Sequence, residues 1–134
     1  MDETESLKEL PSQRIRVLIA DDHPAIRERL YNLITRQADL ELVAQAVNGR
    51  EAYELTLRLD PDVLVLDFEM PEMDGVEVAR LLKSKGCRTS ILIFSAHVDP
   101  LFIQSIIAEG ISGYLAKDDG PEKLLRVIRT ISQL

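Results

Sequence analysis

A chain of 134 residues, 46% hydrophobic and 29% charged, is enough for one core that needs neither a disulfide nor a structural metal. Its net charge of −7 and isoelectric point near 4.8 exclude a basic nucleic-acid grip by this chain alone. The single cysteine, Cys87, excludes an intrachain disulfide and any four-thiolate metal site, and no apolar run approaches the ~20 residues of a membrane span.

In chain order, residues 1–13 (MDETESLKELPSQ) are acidic and polar, lack the basic-then-apolar order of a leader peptide, and read as a flexible extension. From Arg14 two textures alternate. Short β-branched runs fall at RVLIADD (16–22), LELVAQA (40–46), DVLVLDF (62–68), SILIFSA (90–96) and GYLAK (113–117). Such nearly continuous apolar runs suit strands buried on both faces. Between them the spacing is helical. Pro24 opens the first helix, with Ile26, Leu30, Leu33 and Ile34 as its stripe. Asn48 and Glu51 form a capping-box pattern at the second. The third starts near Gly75, buries Val78, Leu81 and Leu82, and stops at Gly86. Asp99-Pro100 begins the fourth, which Gly110 ends. Gly120-Pro121 begins the fifth, with Leu124, Val127, Ile128 and Ile131 inward and Leu125 pointing away. This alternation predicts an α/β domain with a five-stranded, doubly wound parallel sheet, (βα)5.

Four strands end on polar groups: Asp21-Asp22, Asp67, Ser95 and Lys117. Ligands of open α/β sheets bind outside the carboxyl ends of the strands, so the predicted topology gathers these groups at one rim. Singly, each has an ordinary explanation: Asp22 as a cap for the helix at Pro24, Lys117 as a solvated charge, Ser95 as a backbone partner. Together they are harder to dismiss. The run VLVLDFEMPEMDG (63–75) drives four apolar residues into Asp67 and then adds Glu69, Glu72 and Asp74. Clustered carboxylates repel unless protonated or neutralised by a cation, and an oxygen-only donor set with open positions suits Mg2+. Such a centre, with Lys117 and Ser95 beside it, can hold a phosphoryl group, and a carboxylate can be its nucleophile. His23 invites a metal-ligand reading but, as a lone histidine at a helix start, reads as structural, and Met70 and Met73 read as loop packing.

From Arg14 to Leu134 the chain resembles the receiver domain of two-component response regulators, on IADDHP (19–24), LDFEMPEMDG (66–75), FSAH (94–97) and GYLAKD (113–118). DDHP and GYLAKD are most similar to the NarL/LuxR-type subfamily. The resemblance implies a flavodoxin-like fold over residues 14–134 and Asp67 as phosphoacceptor for a sensor histidine kinase. It implies Mg2+ held by Asp21, Asp22, Asp67 and the Glu69 backbone carbonyl. Ser95 and Tyr114 become the switch residues and Lys117 the phosphate-binding lysine. Glu69 and His97, two positions after the acceptor and after the switch hydroxyl, flank the attacking water and set the phosphoryl lifetime. On phosphorylation Ser95 moves toward the phosphoryl group, Tyr114 turns inward, and the domain forms a homodimer through the fourth or fifth helix. LFIQSII (101–107) is more apolar than one buried stripe requires, and the outward Leu125 adds to that surface.

The implied setting is a cytoplasmic, non-membrane regulator that meets DNA only through a C-terminal helix-turn-helix domain outside this chain. A stand-alone receiver acting by protein–protein interaction is the alternative. Two further classes fit less well. A haloacid-dehalogenase-like phosphatase wants an aspartate at position 69 and its nucleophile after the first strand; an FMN binder wants a glycine- and hydroxyl-rich phosphate loop. Asp118 follows Lys117 where many receivers have proline, so that peptide bond is expected to be trans.

Overall fold

The computed structural model describes residues 14–96 and 99–134. The extension assigned to residues 1–13 and the role given to His97 therefore lie outside the described residues. The strands are β1 (Ile15–Ala20), β2 (Leu40–Ala46), β3 (Val63–Leu66), β4 (Ser90–Ser95) and β5 (Gly113–Ala116). They alternate with helices α1 (Pro24–Thr35), α2 (Gly49–Leu59), α3 (Gly75–Ser84), α4 (Pro100–Ile107) and α5 (Pro121–Ile131). All strand pairs are parallel, in the order β2-β1-β3-β4-β5. The fold is the expected doubly wound one.

The pleat divides the core in two, because successive side chains of a strand face opposite ways. Val17 and Ile19 of β1, Val63 and Val65 of β3, and Leu92 and Phe94 of β4 pack beneath α1 and α5. Leu18, Leu64, Leu66 and Ile93 face α2, α3 and α4. The three interior strands, β1, β3 and β4, are thus apolar on both faces, as their sequences require. Met70 and Met73 pack against the second cluster, as expected of loop residues.

Three helix expectations need correction. Leu125, expected to point away, is buried in the first cluster, while Val127, expected inward, packs against the same cluster although half-buried. A helix lying on a sheet buries a stripe at least ~100° wide. The adjacent Leu124 and Leu125 both fit within it, so Leu125 offers no outward surface. On α3, Ala79 takes the inward position expected of Leu81, which is 37% exposed. At α1 the N-cap is His23 rather than Asp22, with no side-chain cap bond.

Other ends behave as read, with changes of detail. Asn48 accepts from the Glu51 amide, but Glu51 reaches back to Val47 N instead of closing the box on Asn48. The complete capping box belongs to Asp74 and Glu77 at α3. Gly86 and Gly110 lie beyond α3 and α4 with φ of +73° and +87°.

Gly49 fixes the β3–α3 loop. Its amide donates to Pro71 O (3.3 Å), and a Cβ there would run into the Met73 carbonyl and Cβ. The loop that follows the Asp67 strand therefore rests on the first turn of α2. Gly49→Ala should cost about 1–3 kcal/mol, the usual penalty for overpacking where backbone must yield. A shift of the urea midpoint measures it; an unchanged midpoint would contradict the close approach.

Candidate functional site

The β-ladder itself delivers the polar rim. Asp21 N donates to Ala46 O (3.1 Å), Asp67 N to Ala20 O (3.0 Å) and Lys117 N to Ser95 O (2.9 Å). Pairing thus continues one residue past the apolar strands. β1 and β3 are neighbours at the point where the order of connections reverses, where a doubly wound sheet opens a crevice. Asp21, Asp67 and Ser95 are 1%, 3% and 1% exposed. Asp22 is half-buried.

Buried carboxylates require partners. Lys117 supplies one: its Nζ lies 2.9 Å from Asp21 Oδ2 and 3.3 Å from Asp67 Oδ2. Burial works against the ammonium charge, but the hydrogen bond and charge of Asp21, then those of Asp67, hold the lysine above its ordinary pKa. Asp67 moves upward too, because burial and then the Asp21 charge outweigh the attraction of Lys117. Glu69 N approaches Asp67 Oδ1 at 3.4 Å, and the Glu69 side chain is exposed.

His23 is the residue that sequence reasoning set aside. Its backbone N donates to Asp21 Oδ1 (2.9 Å) and its Nδ1 lies 2.8 Å from the same oxygen. An ionised carboxylate only accepts, so Nδ1 is the donor. The same nitrogen is 3.2 Å from Asp22 Oδ1 and 3.9 Å from Asp67 Oδ2. The Asp21 hydrogen bond, with the Asp22 and Asp21 charges, raises the imidazole pKa. The sequence marks part of this role, since Asp21 and Asp22 directly precede His23, but Asp67 lies far along the chain and only the β1–β3 pairing brings it near.

Other predicted groups lie elsewhere. Asp74 caps α3, and Glu72 sits 3.5 Å from Arg50, so neither joins the cluster. Tyr114 is half-buried, with a hydroxyl that is buried and has no hydrogen-bond partner among the described residues. It packs edge-on to Phe102 (6.5 Å), which packs edge-on to Phe68 (4.4 Å), the residue after Asp67. The sequence reading missed this aromatic row, which runs from the acidic cluster through α4 to β5. Among the described residues no peptide bond is cis, so Lys117–Asp118 is trans as expected.

A cation fits the donor set. Asp21, Asp22, His23 and Asp67 each offer one ligand atom, all within 4.8 Å of one another. Among the described residues Asp22 Oδ1 is buried without a hydrogen bond, its cation-forming neighbour His23 Nδ1 lying 3.2 Å away, and it is an acceptor that a cation would satisfy.

Parallel (βα)5 topology with acids at the β1 and β3 ends and a lysine at the β5 end defines a class, the receiver domains. Residues 17–129 match the response regulator receiver domain family, and the chain belongs to it. It is 37% identical over 112 residues to the nitrate/nitrite response regulator protein NarL of Escherichia coli strain K12, covering 84% of this chain and 52% of that protein. It is 33% identical over 117 residues to the transcriptional regulatory protein LnrK of Bacillus subtilis, covering 87% and 53%. The signal receiver domain of the putative response regulator NarL from Mycobacterium tuberculosis superposes with a TM-score of 0.88 at 31% identity, over 90% of this chain and 98% of that one. The chain spans about half the length of these curated relatives, of which NarL is a NarL/LuxR-type regulator. Receivers are signalling domains and not classical enzymes. No helix among the described residues is long and apolar enough to cross a membrane.

Proposed function

We propose that Asp67 is the phosphoacceptor, taking a phosphoryl group from the phosphohistidine of a sensor kinase. The observation that carries this reading is the Asp67 carboxylate, 3% exposed at the crevice, with the Lys117 ammonium at 3.3 Å and two further acids beside it. In the transfer the histidine N–P bond breaks, its electron pair stays on the imidazole, and an Asp67 oxygen forms the new O–P bond. Lys117 is placed to hold a phosphoryl oxygen and Ser95 to meet another. Asp21, Asp22, Asp67 and the Glu69 carbonyl would hold Mg2+, which supplies neutralisation of the phosphoryl charge. The same site would carry self-phosphorylation from small acyl phosphates and self-dephosphorylation, with the lifetime roles of Glu69 and His97 resting on the family resemblance alone.

Switching then works through the aromatic row. Tyr114 is already half-buried on Phe102, so the inward movement expected of it starts from a partly inserted ring. Movement of Ser95 toward the phosphoryl group alters what Phe102 and Tyr114 pack against and so biases α4. That helix buries Ile106 alone, while Leu101 and Ile107 are 75% and 59% exposed. With Leu125 in the core, α4 is the surface we assign to homodimerisation on phosphorylation. The output is transcription through a C-terminal helix-turn-helix domain, by analogy with the relatives, in a cytoplasmic regulator.

Incubation with acetyl phosphate and Mg2+ tests the assignment. Intact mass should rise by one phosphoryl group, and reductive trapping of the acyl phosphate should mark Asp67. A mass unchanged, or a label on another residue, would sink it.

A further inference from the structure

We propose that His23 is itself a ligand of the cation held by the three aspartates, so that the site binds nitrogen-accepting divalent ions such as Co2+ and Zn2+ through a bond that Mg2+ does not use. This rests on reading the acidic cluster as the cation site and adds a residue that the oxygen donor set leaves out.

Backbone anchoring places the ring. Pro24 fixes the first turn of α1 directly after His23, and Arg27 N donates to His23 O (3.1 Å). His23 N is tied to Asp21 Oδ1 at 2.9 Å. The imidazole therefore leans over the cluster from a constrained position and does not reach in from a mobile loop.

The spacing of the donors is that of a coordination shell. With metal–ligand bonds of ~2.1 Å, neighbouring ligand atoms of an octahedron lie ~3 Å apart and opposite ones ~4 Å apart. His23 Nδ1 stands 2.8 Å from Asp21 Oδ1, 3.2 Å from Asp22 Oδ1 and 3.9 Å from Asp67 Oδ2. A nitrogen at those separations is where a ligand has to be. Without a cation, an N–H···O bond occupies the space; with one, the Nδ1 lone pair takes the place of that proton, which leaves to solvent. The ring is 60% exposed, so the exchange needs no opening of the core. Lys117 contacts the Oδ2 atoms of Asp21 and Asp67, so it shares Asp67 Oδ2 with this corner and leaves Asp21 Oδ1 and Asp22 Oδ1 to the ring and the cation.

Donor chemistry then sets selectivity. Mg2+ prefers oxygen and keeps its waters, so three carboxylates suffice for it. Imidazole favours first-row transition ions. Asp21, Asp22 and Asp67 are common to both modes, and His23 distinguishes them.

Calorimetric titration of the full chain with Zn2+, Co2+ and Mg2+ tests this, comparing wild type with His23→Ala and with His23→Gln, which keeps a donor toward Asp21. We expect Zn2+ and Co2+ affinity to fall at least about tenfold in both variants, the loss that even outer-shell partners of a metal cause. Mg2+ affinity should stay within about twofold, which also shows that the variants fold. In wild type, the His23 Nδ1 resonance (identified by its loss in His23→Ala) should move on adding Zn2+ and stay put with Mg2+. Equal losses for all three ions, no loss for any, or an unmoved nitrogen would overturn the ligand assignment. Phosphoryl uptake by wild type with Mg2+ is a separate result: it tests the phosphoacceptor reading and is unaffected by whether Zn2+ binding depends on His23.

Discussion

Asp67→Asn will take up no phosphoryl group from acetyl phosphate and Mg2+, and it will melt at a higher temperature than wild type. The first effect is total, because a carboxamide lacks the nucleophilic carboxylate oxygen. The second follows from how the site is built. Asp67 is 3% exposed, and burial together with the Asp21 charge pushes its carboxyl pKa up. A carboxyl whose folded pKa lies above its unfolded value binds its proton more tightly in the folded state. Its stabilising contribution is present below the unfolded pKa and lost as pH rises through the folded one. At neutral pH the ionised side chain therefore weakens the fold relative to a neutral isostere. Asparagine removes the repulsion toward Asp21 and leaves Lys117 its 2.9 Å bond to that residue. Two unit charges 4 Å apart interact by about 1 kcal/mol in water and about 4 kcal/mol at an effective permittivity of 20. Since Lys117 offsets part of this, a net gain of about 1 kcal/mol is expected, or about 4 °C in Tm. The gain should shrink as pH falls through the carboxylate range. A lower Tm for the variant at pH 7 would mean that the Lys117 attraction outweighs the repulsion.

Such a trade of stability for chemistry is visible in the sequence as a contradiction: an apolar strand that runs into acids. The strands were legible because each β-branched run is bounded by Pro, Gly or Asp, and the gathering of Asp21, Asp67, Ser95 and Lys117 follows from parallel topology alone. What could not be read depends on distance in space. Phe68 has an ordinary sequence context, and the approach of His23 to Asp67 and of Phe68 to Phe102 is fixed only by which strands pair and how α4 lies on the sheet. Leu125 failed for a different reason. Periodicity gives the direction of a helix's apolar face but not its width, and the α5 face is wide enough to bury residue 125 while residue 127 packs at its border. The Asp74–Glu77 capping box was present as D-x-x-E, yet proximity to Asp67 in sequence drew Asp74 into the acid count.

Lys117→Met should be the most destabilising change at the site, and the loss should be partly repaired by Mg2+. Methionine keeps the long side chain and removes the cation, so packing is nearly conserved and the experiment isolates charge. The Lys117 side chain is 16% exposed and bridges Asp21 and Asp67, whose side chains are 2% and 4% exposed. Removing one partner of a buried pair costs about 3–5 kcal/mol. The lower end, about 3 kcal/mol, applies here because the His23 imidazole still donates to Asp21 at 2.8 Å. The pH dependence has a definite sign. The lysine pKa is raised despite its burial, so its contribution is fully present below the ordinary lysine pKa and is lost only as pH rises through the folded value. The gap between wild type and variant should therefore be wide at pH 7–8. It should narrow in acid, where the carboxylates take up protons and no longer need a counter-charge. A bound cation does for the carboxylates what the ammonium does, and a ligand that binds only the folded state stabilises it by mass action. Millimolar Mg2+ should then raise the Tm of Lys117→Met more than that of wild type, where Lys117 already occupies two of the oxygens. Thermal melts at neutral and acid pH, with and without Mg2+, measure all of this. Equal Mg2+ shifts in the two proteins would show that the lysine and the metal act on different oxygens and do not compete for the same charge.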